Sequence, residues 1–205
     1  MSRPSAEETI TSGSALAVID VQRDFCEGGA LAAPGSARIL PAINAYIAAA
    51  HALGIPIYAS RDWHPAVTNH FAAYGGEWPP HCVQDSPGAE FHPDLRLPPT
   101  AIVISKGDDS ERPGYSAFDG HTPGGQPFLM ELRRRGIERL YVAGIATDYC
   151  VKQTTLDALR AGLHVTVLMD AVTGIDQQAG DIERAFGEMK RAGADLTTGL
   201  GQVQV

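Results

Sequence analysis

Cysteines and basic residues are both scarce in this sequence, and each shortage argues against a class of protein. Cys26, Cys82 and Cys150 are the only cysteines, an odd number without a Cys-x-x-Cys pair, which suits a reducing cytoplasm better than a disulfide scaffold. The formal net charge is -8. Nucleic acid is not an expected partner, because binding it relies on Lys and Arg to neutralise phosphates.

Long apolar runs are also missing. No stretch of the sequence approaches the length needed to cross a bilayer, so no membrane partner is expected. Residues 1–14 are polar and lack the basic start and apolar core of a secretory signal, which predicts a flexible N-terminal tail. Residues 15–205 are long enough for one sizeable core but short for two, so we expect a single domain, located in the cytoplasm.

A pattern that is present recurs four times: an amphipathic stretch ends at a glycine, and a short run rich in β-formers follows. The glycines are Gly54, Gly136, Gly162 and Gly193. Glycine just past a helix end accepts the left-handed conformation that closes the last turn, so these are predicted helix-to-strand junctions. The runs are nearly continuous in apolar residues, as in strands buried on both faces of a parallel sheet. The pattern therefore predicts an α/β sandwich with right-handed crossovers.

Four chemically capable residues lie where these strands end. Asp20 ends the first strand, Asp62 follows the second, Lys106 ends the third and Cys150 lies just beyond the fourth. Ligands of open parallel sheets bind at the carboxyl ends of the strands, so these side chains are expected to converge. Taken singly, Asp20 could be a turn carboxylate and Lys106 a solvated strand end. Their joint placement favours a catalytic site.

Cys150 is the candidate nucleophile. It is predicted in the first turn of the helix after the fourth strand, which Thr147 or Asp148 can cap. The positive end of the helix dipole and nearby N–H groups would favour the thiolate there, and the same turn can form an oxyanion hole. The alternative is an inert buried thiol, which is the default for Cys26 and Cys82.

The segment from residue 62 to 99 is rich in Pro, His and Gly and shows little periodicity, and long loops of this kind are usually functional. It carries Asp62, His64, His70 and His81, a set that suits Zn²⁺, Mn²⁺ or Fe²⁺. Scattered surface histidines are the alternative. Aromatic side chains that would suit an aromatic substrate flank these elements, although core packing would also explain them: Phe25, Trp78 and Tyr115.

Six ordered motifs cover the chain from about residue 15 to 198. They are VIDVQRDFCEGGAL (18–31), SRDWHP (60–65), WPPHCVQDSPGAEFHP (78–93), SKG (105–107), YSAFDG (115–120) and VAGIATDYCVKQTTLDAL (142–159). With these motifs the sequence resembles the nicotinamidase/pyrazinamidase branch of the isochorismatase-like cysteine hydrolases. The resemblance implies a three-layer α/β/α sandwich with a mainly parallel sheet of roughly six strands.

The resemblance also implies roles for individual residues. The catalytic triad falls on Asp20, Lys106 and Cys150. One divalent ion, Zn, Fe or Mn, falls on Asp62, His64 and His81, with His70 as a less certain fourth ligand. The substrate pocket falls on Phe25, Trp78, Tyr115 and Tyr149. The oxyanion hole falls on the N–H groups of Ala146 and Cys150, after a cis Ile145–Ala146 peptide.

The activity that the resemblance implies is hydrolysis of nicotinamide, and of pyrazinamide, through a Cys thioester in NAD salvage. The partner is then a small aromatic amide, and a homo-oligomer is left open. Two departures bear on the preferred substrate: the stretch GDDSERPG at 107–114 differs from some relatives, and Tyr149 stands where other members have histidine. The rival interpretations are a related amidase for carbamoyl or ureido substrates and a non-catalytic module that binds metal or nicotinamide.

Overall fold

A six-stranded, all-parallel sheet forms the centre of the computed structural model, which describes residues 13–198. The strands are β1 (Ser14–Ile19), β2 (Ile57–Asp62), β3 (Ile102–Lys106), β4 (Arg139–Ile145), β5 (His164–Thr173) and β6 (Asp195–Thr197). Their order across the sheet is β3-β2-β1-β4-β5-β6. The predicted parallel sheet is confirmed.

Helices cover both faces of this sheet. Within the described residues the α-helices are α1 (Ser36–Ala52), α2 (Phe128–Arg134), α3 (Lys152–Arg160) and α4 (Asp181–Ala192). Side chains alternate between the faces of a strand, so β1 contributes Leu16 and Val18 to the core under α1 and its other apolar residues to the core under the remaining helices. The three-layer α/β/α sandwich is therefore confirmed.

The glycine junctions predicted from the sequence are present. All four glycines have positive φ and follow the helices in the predicted order. Gly193 illustrates the cause: its φ of 108° lies in a region that side chains disfavour, and its N–H closes the end of α4 on the carbonyls of Met189 and Lys190.

The chain is already part of the sheet at the start of the described range. Ser14 is buried and opens β1, one residue before the predicted start of the domain. The carbonyl of Gly13 accepts hydrogen bonds from the N–H groups of Glu138 at 2.7 Å and Arg139 at 3.0 Å. The rest of the predicted tail, residues 1–12, lies outside the described residues. None of the helices in residues 13–198 has the length and hydropathy that a bilayer crossing requires.

The strand order reverses at β1, which has β2 on one side and β4 on the other. Crevices at such reversals, outside the carboxyl ends of the strands, are where open α/β sheets bind ligands. The main chain turns sharply here, because Asp20 has a φ of 48° after β1 and the Ile145–Ala146 peptide after β4 is cis, as the resemblance implied.

Candidate active site

Three side chains from separate strand ends meet at this reversal. The Nζ of Lys106 lies 2.8 Å from Oδ2 of Asp20 and 3.5 Å from Sγ of Cys150. The Cys150 sulfur and an Asp20 carboxylate oxygen are within 4.8 Å of each other. All three residues are buried. The structure thus brings together the residues that the sequence predicted to converge.

Strand register explains how Lys106 reaches Asp20. Lys106 is the last residue of β3 and pairs with Asp62, the last residue of β2. Asp20 lies on the other side of β2, so the lysine side chain extends across the end of that strand. The Oγ of Ser60 on β2 donates to Oδ1 of Asp20 at 2.7 Å, which leaves the other carboxylate oxygen to Lys106.

Cys150 lies in a wide turn, Thr147–Val151, that precedes α3. The N–H of Val151 bonds to the carbonyl of Ala146 at 3.0 Å, an i to i+5 hydrogen bond of the π-helical type. Cys150 is therefore in a π-helical turn between β4 and α3, and not in the first turn of a regular α-helix as predicted. Turns of this type are frequent at functional sites.

The predicted helix caps are wrong, because no side chain caps this turn or α3. The carboxylate of Asp148 instead accepts from the backbone N–H groups of Ile175 at 3.0 Å and Asp176 at 2.8 Å. It ties the turn that carries Cys150 to the loop after β5. The hydroxyl of Thr147 is buried without a hydrogen-bond partner among the described residues.

Charges in this buried site determine where the protons lie. Burial raises the pKa of the Cys150 thiol well above its ordinary value, against the opposing effect of the Lys106 ammonium. Burial also raises the pKa of Asp20, again opposed by Lys106. Burial disfavours the ammonium itself, but Asp20 and Asp62 hold the pKa of Lys106 well above its ordinary value. Burial thus outweighs the effects predicted to favour the thiolate in this turn, and Cys150 rests as a thiol that requires a base.

A second cluster lies next to this one and shares Asp62 with it. Oδ1 of Asp62 accepts from Nζ of Lys106, while Oδ2 lies 3.5 Å from Nε2 of His64 and 4.0 Å from Nε2 of His81. Ring nitrogens of His64, His70 and His81 all lie within 4.8 Å of one another. Burial alone would raise the pKa of Asp62, but the Lys106 ammonium holds it well below its ordinary value.

The tautomers of two histidines fit a metal ion. Nδ1 of His64 lies 2.9 Å from the carbonyl of Gly107, and Nδ1 of His81 lies 2.8 Å from the carbonyl of Pro79. A carbonyl only accepts, so both Nδ1 atoms carry a proton, and Nε2 is the ring atom of each histidine that is left to bind a metal ion. Nε2 of His64 is buried and has no hydrogen-bond partner among the described residues. Burial lowers the pKa of His70 to about 3, so this ring is neutral near pH 7. Neutral imidazoles beside one carboxylate are a donor set for a divalent ion.

Aromatic side chains border both clusters. Nε1 of Trp78 donates to the hydroxyl of Tyr115 at 2.9 Å, and the ring of Tyr149 packs edge-on at 5.0 Å between centroids from Trp78. Tyr115 contacts His70, with centroids 5.5 Å apart. Phe25 lies 5.3 Å from the ring of His81. Phe25 and Tyr115 therefore contact the histidine cluster, and Trp78 and Tyr149 contact Tyr115.

Sequence reasoning missed the groups that hold these side chains in place. They are the side chains of Gln22 and Ser60 and the carbonyls of Pro79 and Gly107. Gln22 gives the one signal that could have been read: it is a polar residue two positions past Asp20, close after the apolar run of the first strand. Carbonyl partners leave no signal in a sequence, because every residue has one.

Known proteins resemble the chain over nearly its whole length. The model of the isochorismatase domain matches residues 14–199. A nicotinamidase/pyrazinamidase of Mycobacterium tuberculosis is 43% identical over 89% of this chain and 97% of its own. A crystal structure of the pyrazinamidase of Pyrococcus horikoshii in complex with zinc has a TM-score of 0.84 and 44% identity, covering 91% of this chain and 99% of that one. PnC1 from L. infantum in complex with nicotinate has a TM-score of 0.81 and 32% identity, covering 96% of each chain. The chain therefore belongs to the isochorismatase family.

Proposed function

We propose that the chain is a cysteine amidase that hydrolyses nicotinamide, and pyrazinamide, to the aromatic acid and ammonia, as a step of NAD salvage. The observation that carries the proposal is the position of Lys106, whose ammonium contacts the Asp20 carboxylate at 2.8 Å and the Cys150 sulfur at 3.5 Å in a buried site. The substrates named for the M. tuberculosis relative, and the nicotinate bound by the L. infantum relative, support an aromatic amide.

The first half of the reaction forms a thioester. Asp20 takes the proton from the Cys150 thiol, and the sulfur attacks the carboxamide carbon of the substrate. The Lys106 ammonium stabilises the developing negative charge on sulfur while remaining paired with Asp20. Backbone N–H groups of Ala146 and Cys150 would donate to the oxyanion of the tetrahedral intermediate, with each such donor contributing about 3 kcal/mol.

The second half releases the products. The C–N bond breaks as Asp20 returns its proton to the leaving nitrogen, and ammonia departs. Asp20 then removes a proton from a water molecule, which attacks the thioester carbonyl. The C–S bond breaks, the aromatic acid forms, and Cys150 recovers its thiol. One amide and one water thus give one acid and one ammonia.

One divalent ion, Zn, Fe or Mn, would be held by Asp62, His64 and His81, with His70 as a fourth ligand. When bound, the ion supplies a Lewis acid that accepts the lone pair of the pyridine nitrogen and orients the ring. The Nε2 atoms of His64 and His81, which lie 3.5 and 4.0 Å from Oδ2 of Asp62, support this assignment. The zinc in the P. horikoshii relative supports it independently.

The aromatic ring of the substrate would bind among Phe25, Trp78, Tyr115 and Tyr149. Trp78 and Tyr115 are joined by a hydrogen bond, so their rings are held in fixed orientations before the substrate arrives. Such preorganisation lowers the entropic cost of binding.

A cytoplasmic location is part of the proposal, supported by three cysteines that are all free in the structure.

Steady-state release of ammonia from nicotinamide tests the proposal. Purified wild-type protein loaded with zinc is compared with Cys150→Ala, and with Cys26→Ala as a second buried cysteine variant. We expect wild type and Cys26→Ala to release ammonia and Cys150→Ala to lose at least about 1,000-fold in kcat. Ureido and carbamoyl compounds are assayed in parallel. Equal rates for wild type and Cys150→Ala, or faster hydrolysis of a ureido compound than of nicotinamide, would contradict the proposal.

A further inference from the structure

The side chain of Gln22 makes three hydrogen bonds, and two of them join the backbone of a single residue. Its Nε2 donates to the carbonyl of Asp62 at 2.8 Å and to that of Ala89 at 2.9 Å. Its Oε1 accepts from the N–H of Asp62 at 2.7 Å. Gln22 is completely buried. Its amide therefore satisfies both backbone polar groups of Asp62, as a neighbouring strand would.

The ladder between β1 and β2 shows why a side chain takes this place. The two strands pair through Val18 and Ala59, and the last backbone hydrogen bond runs from the N–H of Asp20 to the carbonyl of Ser60 at 3.2 Å. The main chain then leaves the sheet, because Asp20 has a φ of 48°. Along β2, every second residue directs its backbone N–H and C=O groups toward β1. After Ser60, the next residue to do so is Asp62. The amide of Gln22 occupies the position that a continued β1 would have filled.

Asp62 contacts two neighbours that the proposed reaction requires in fixed positions. One carboxylate oxygen accepts from Lys106, and the other faces Nε2 of His64 at 3.5 Å. On the side away from Gln22, Asp62 pairs with Lys106 in the β2–β3 ladder. A shift of the Asp62 backbone would therefore displace a ligand of the histidine cluster and a partner of the triad lysine together.

We propose that Gln22 is a positioning residue that holds Asp62 in register between the metal ligands and Lys106. This inference rests on the proposed function for its link to catalysis. The hydrogen bonds of the Gln22 side chain go to the backbone of Asp62 and Ala89, so this side chain acts on the site through Asp62. A purely structural role would lower stability without changing the affinity for metal.

The test compares Gln22→Met with Asn44→Leu. Methionine matches the length of glutamine and removes all three hydrogen bonds. Asn44 lies outside the site, and its side-chain amide also bonds to the backbone of a distant segment. Its Nδ2 donates to the carbonyl of Asp94 at 2.8 Å, and its Oδ1 accepts from the N–H of Arg96 at 2.9 Å. The measurements are the Zn²⁺ dissociation constant by calorimetry, the melting temperature, and kcat and KM for nicotinamide at saturating zinc.

We expect Gln22→Met to raise the Zn²⁺ dissociation constant about 10- to 100-fold, as the loss of outer-shell partners does at metal sites, and to lower kcat about tenfold at saturating zinc. Asn44→Leu should leave both within twofold while lowering the melting temperature. Gln22→Asn, which keeps the amide but is too short to reach Asp62, should behave like Gln22→Met and replaces it if that variant does not fold.

A folded Gln22 variant whose zinc affinity and kcat stay within twofold of wild type would overturn the positioning role. The zinc measurement needs no turnover. Wild-type protein that binds zinc but releases no ammonia would overturn the proposed function, while the zinc affinities of the Gln22 variants would still decide the inference about Gln22.

Discussion

The Nζ of Lys106 lies 2.8 Å from Oδ2 of Asp20, and both side chains are completely inaccessible to solvent. The same ammonium also pairs with Asp62, so one cation is shared between two buried carboxylates. Removing one partner of a buried ion pair leaves an uncompensated charge that costs several kcal/mol. Lys106 should therefore stabilise the fold at the site as well as assist catalysis.

Lys106→Met should lower the free energy of unfolding by about 3 to 5 kcal/mol at pH 7. Burial already raises the pKa of Asp20, and loss of the ammonium leaves that effect unopposed. A carboxyl group whose pKa is raised in the folded state stabilises the fold below its unfolded pKa, and this stability is lost as pH rises through the folded pKa. The loss of unfolding free energy caused by Lys106→Met should therefore be smaller at acidic pH. Urea unfolding across a pH series measures it.

A surface lysine provides the control for that series. Lys152 lies 3.5 Å from Glu188, whose side chain is 45% exposed, so Lys152→Met should cost less than about 1 kcal/mol. A Lys106→Met defect that is the same at every pH would contradict the assignment of the cost to buried carboxylates.

Ser60→Ala should move the acidic limb of the kcat/KM profile to higher pH. The reaction requires Asp20 unprotonated, and burial already raises the pKa of this group, while the hydroxyl of Ser60 opposes the rise. Loss of that hydroxyl removes a stabiliser of the carboxylate, so a larger fraction of the enzyme is protonated at a given acidic pH. Ser105→Ala, on the adjacent strand, is the control, because the Ser105 hydroxyl bonds to Arg61. An unshifted limb in Ser60→Ala would argue against Asp20 as the base.

Asp20→Asn should lower kcat about 100- to 10,000-fold, the usual contribution of a general base. The Asp20 carboxylate also raises the pKa of the Cys150 thiol, so Asp20→Asn should not slow the alkylation of Cys150 by iodoacetamide even though kcat falls. Burial raises the pKa of Cys26 to about 11 and raises that of Cys82 as well, so neither should compete. The Cys150→Ala protein gives the background rate. A kcat of Asp20→Asn within tenfold of wild type would contradict the assignment of Asp20 as the base that takes the thiol proton.

His70→Ala tests the fourth metal ligand. The His70 ring stacks on that of His64 with centroids 4.6 Å apart, and its nitrogens lie within 4.8 Å of those of the other two histidines. We expect the Zn²⁺ dissociation constant of His70→Ala to rise at least about tenfold, and that of His81→Ala to rise by a similar factor. If only His81→Ala loses affinity, His70 is a wall of the pocket and not a ligand.

The sequence was sufficient to predict which side chains meet, because parallel strands all end at one edge of a sheet. Asp20, Lys106 and Cys150 could be placed there from their positions after apolar runs, without knowledge of the strand order. The resemblance added the cis Ile145–Ala146 peptide, which spacing alone could not give.

The protonation of Cys150 could not be predicted in the same way. A cysteine near a helix start favours thiolate on local grounds, but complete burial raises its pKa, and burial is a property of the packed fold. The π-helical turn also involves contacts between distant segments. The Asp148 carboxylate accepts hydrogen bonds from the N–H groups of Ile175 and Asp176 and does not cap a helix. Contacts between distant segments outweigh local preference at both positions.

Gly107→Ala should weaken zinc binding through His64. A Cβ at Gly107 would lie 2.5 Å from Cε1 of His64, so the imidazole must move away from the Gly107 carbonyl that fixes its tautomer. Gly125→Ala is the matched control, because Gly125 has a φ of 78°, close to the 70° of Gly107, but a Cβ there meets nothing within 4 Å. Both variants should lose about 1 kcal/mol of stability from the positive φ. Only Gly107→Ala should raise the Zn²⁺ dissociation constant, by at least about tenfold, and equal zinc affinities in the two variants would show that the carbonyl contact does not orient His64 for metal.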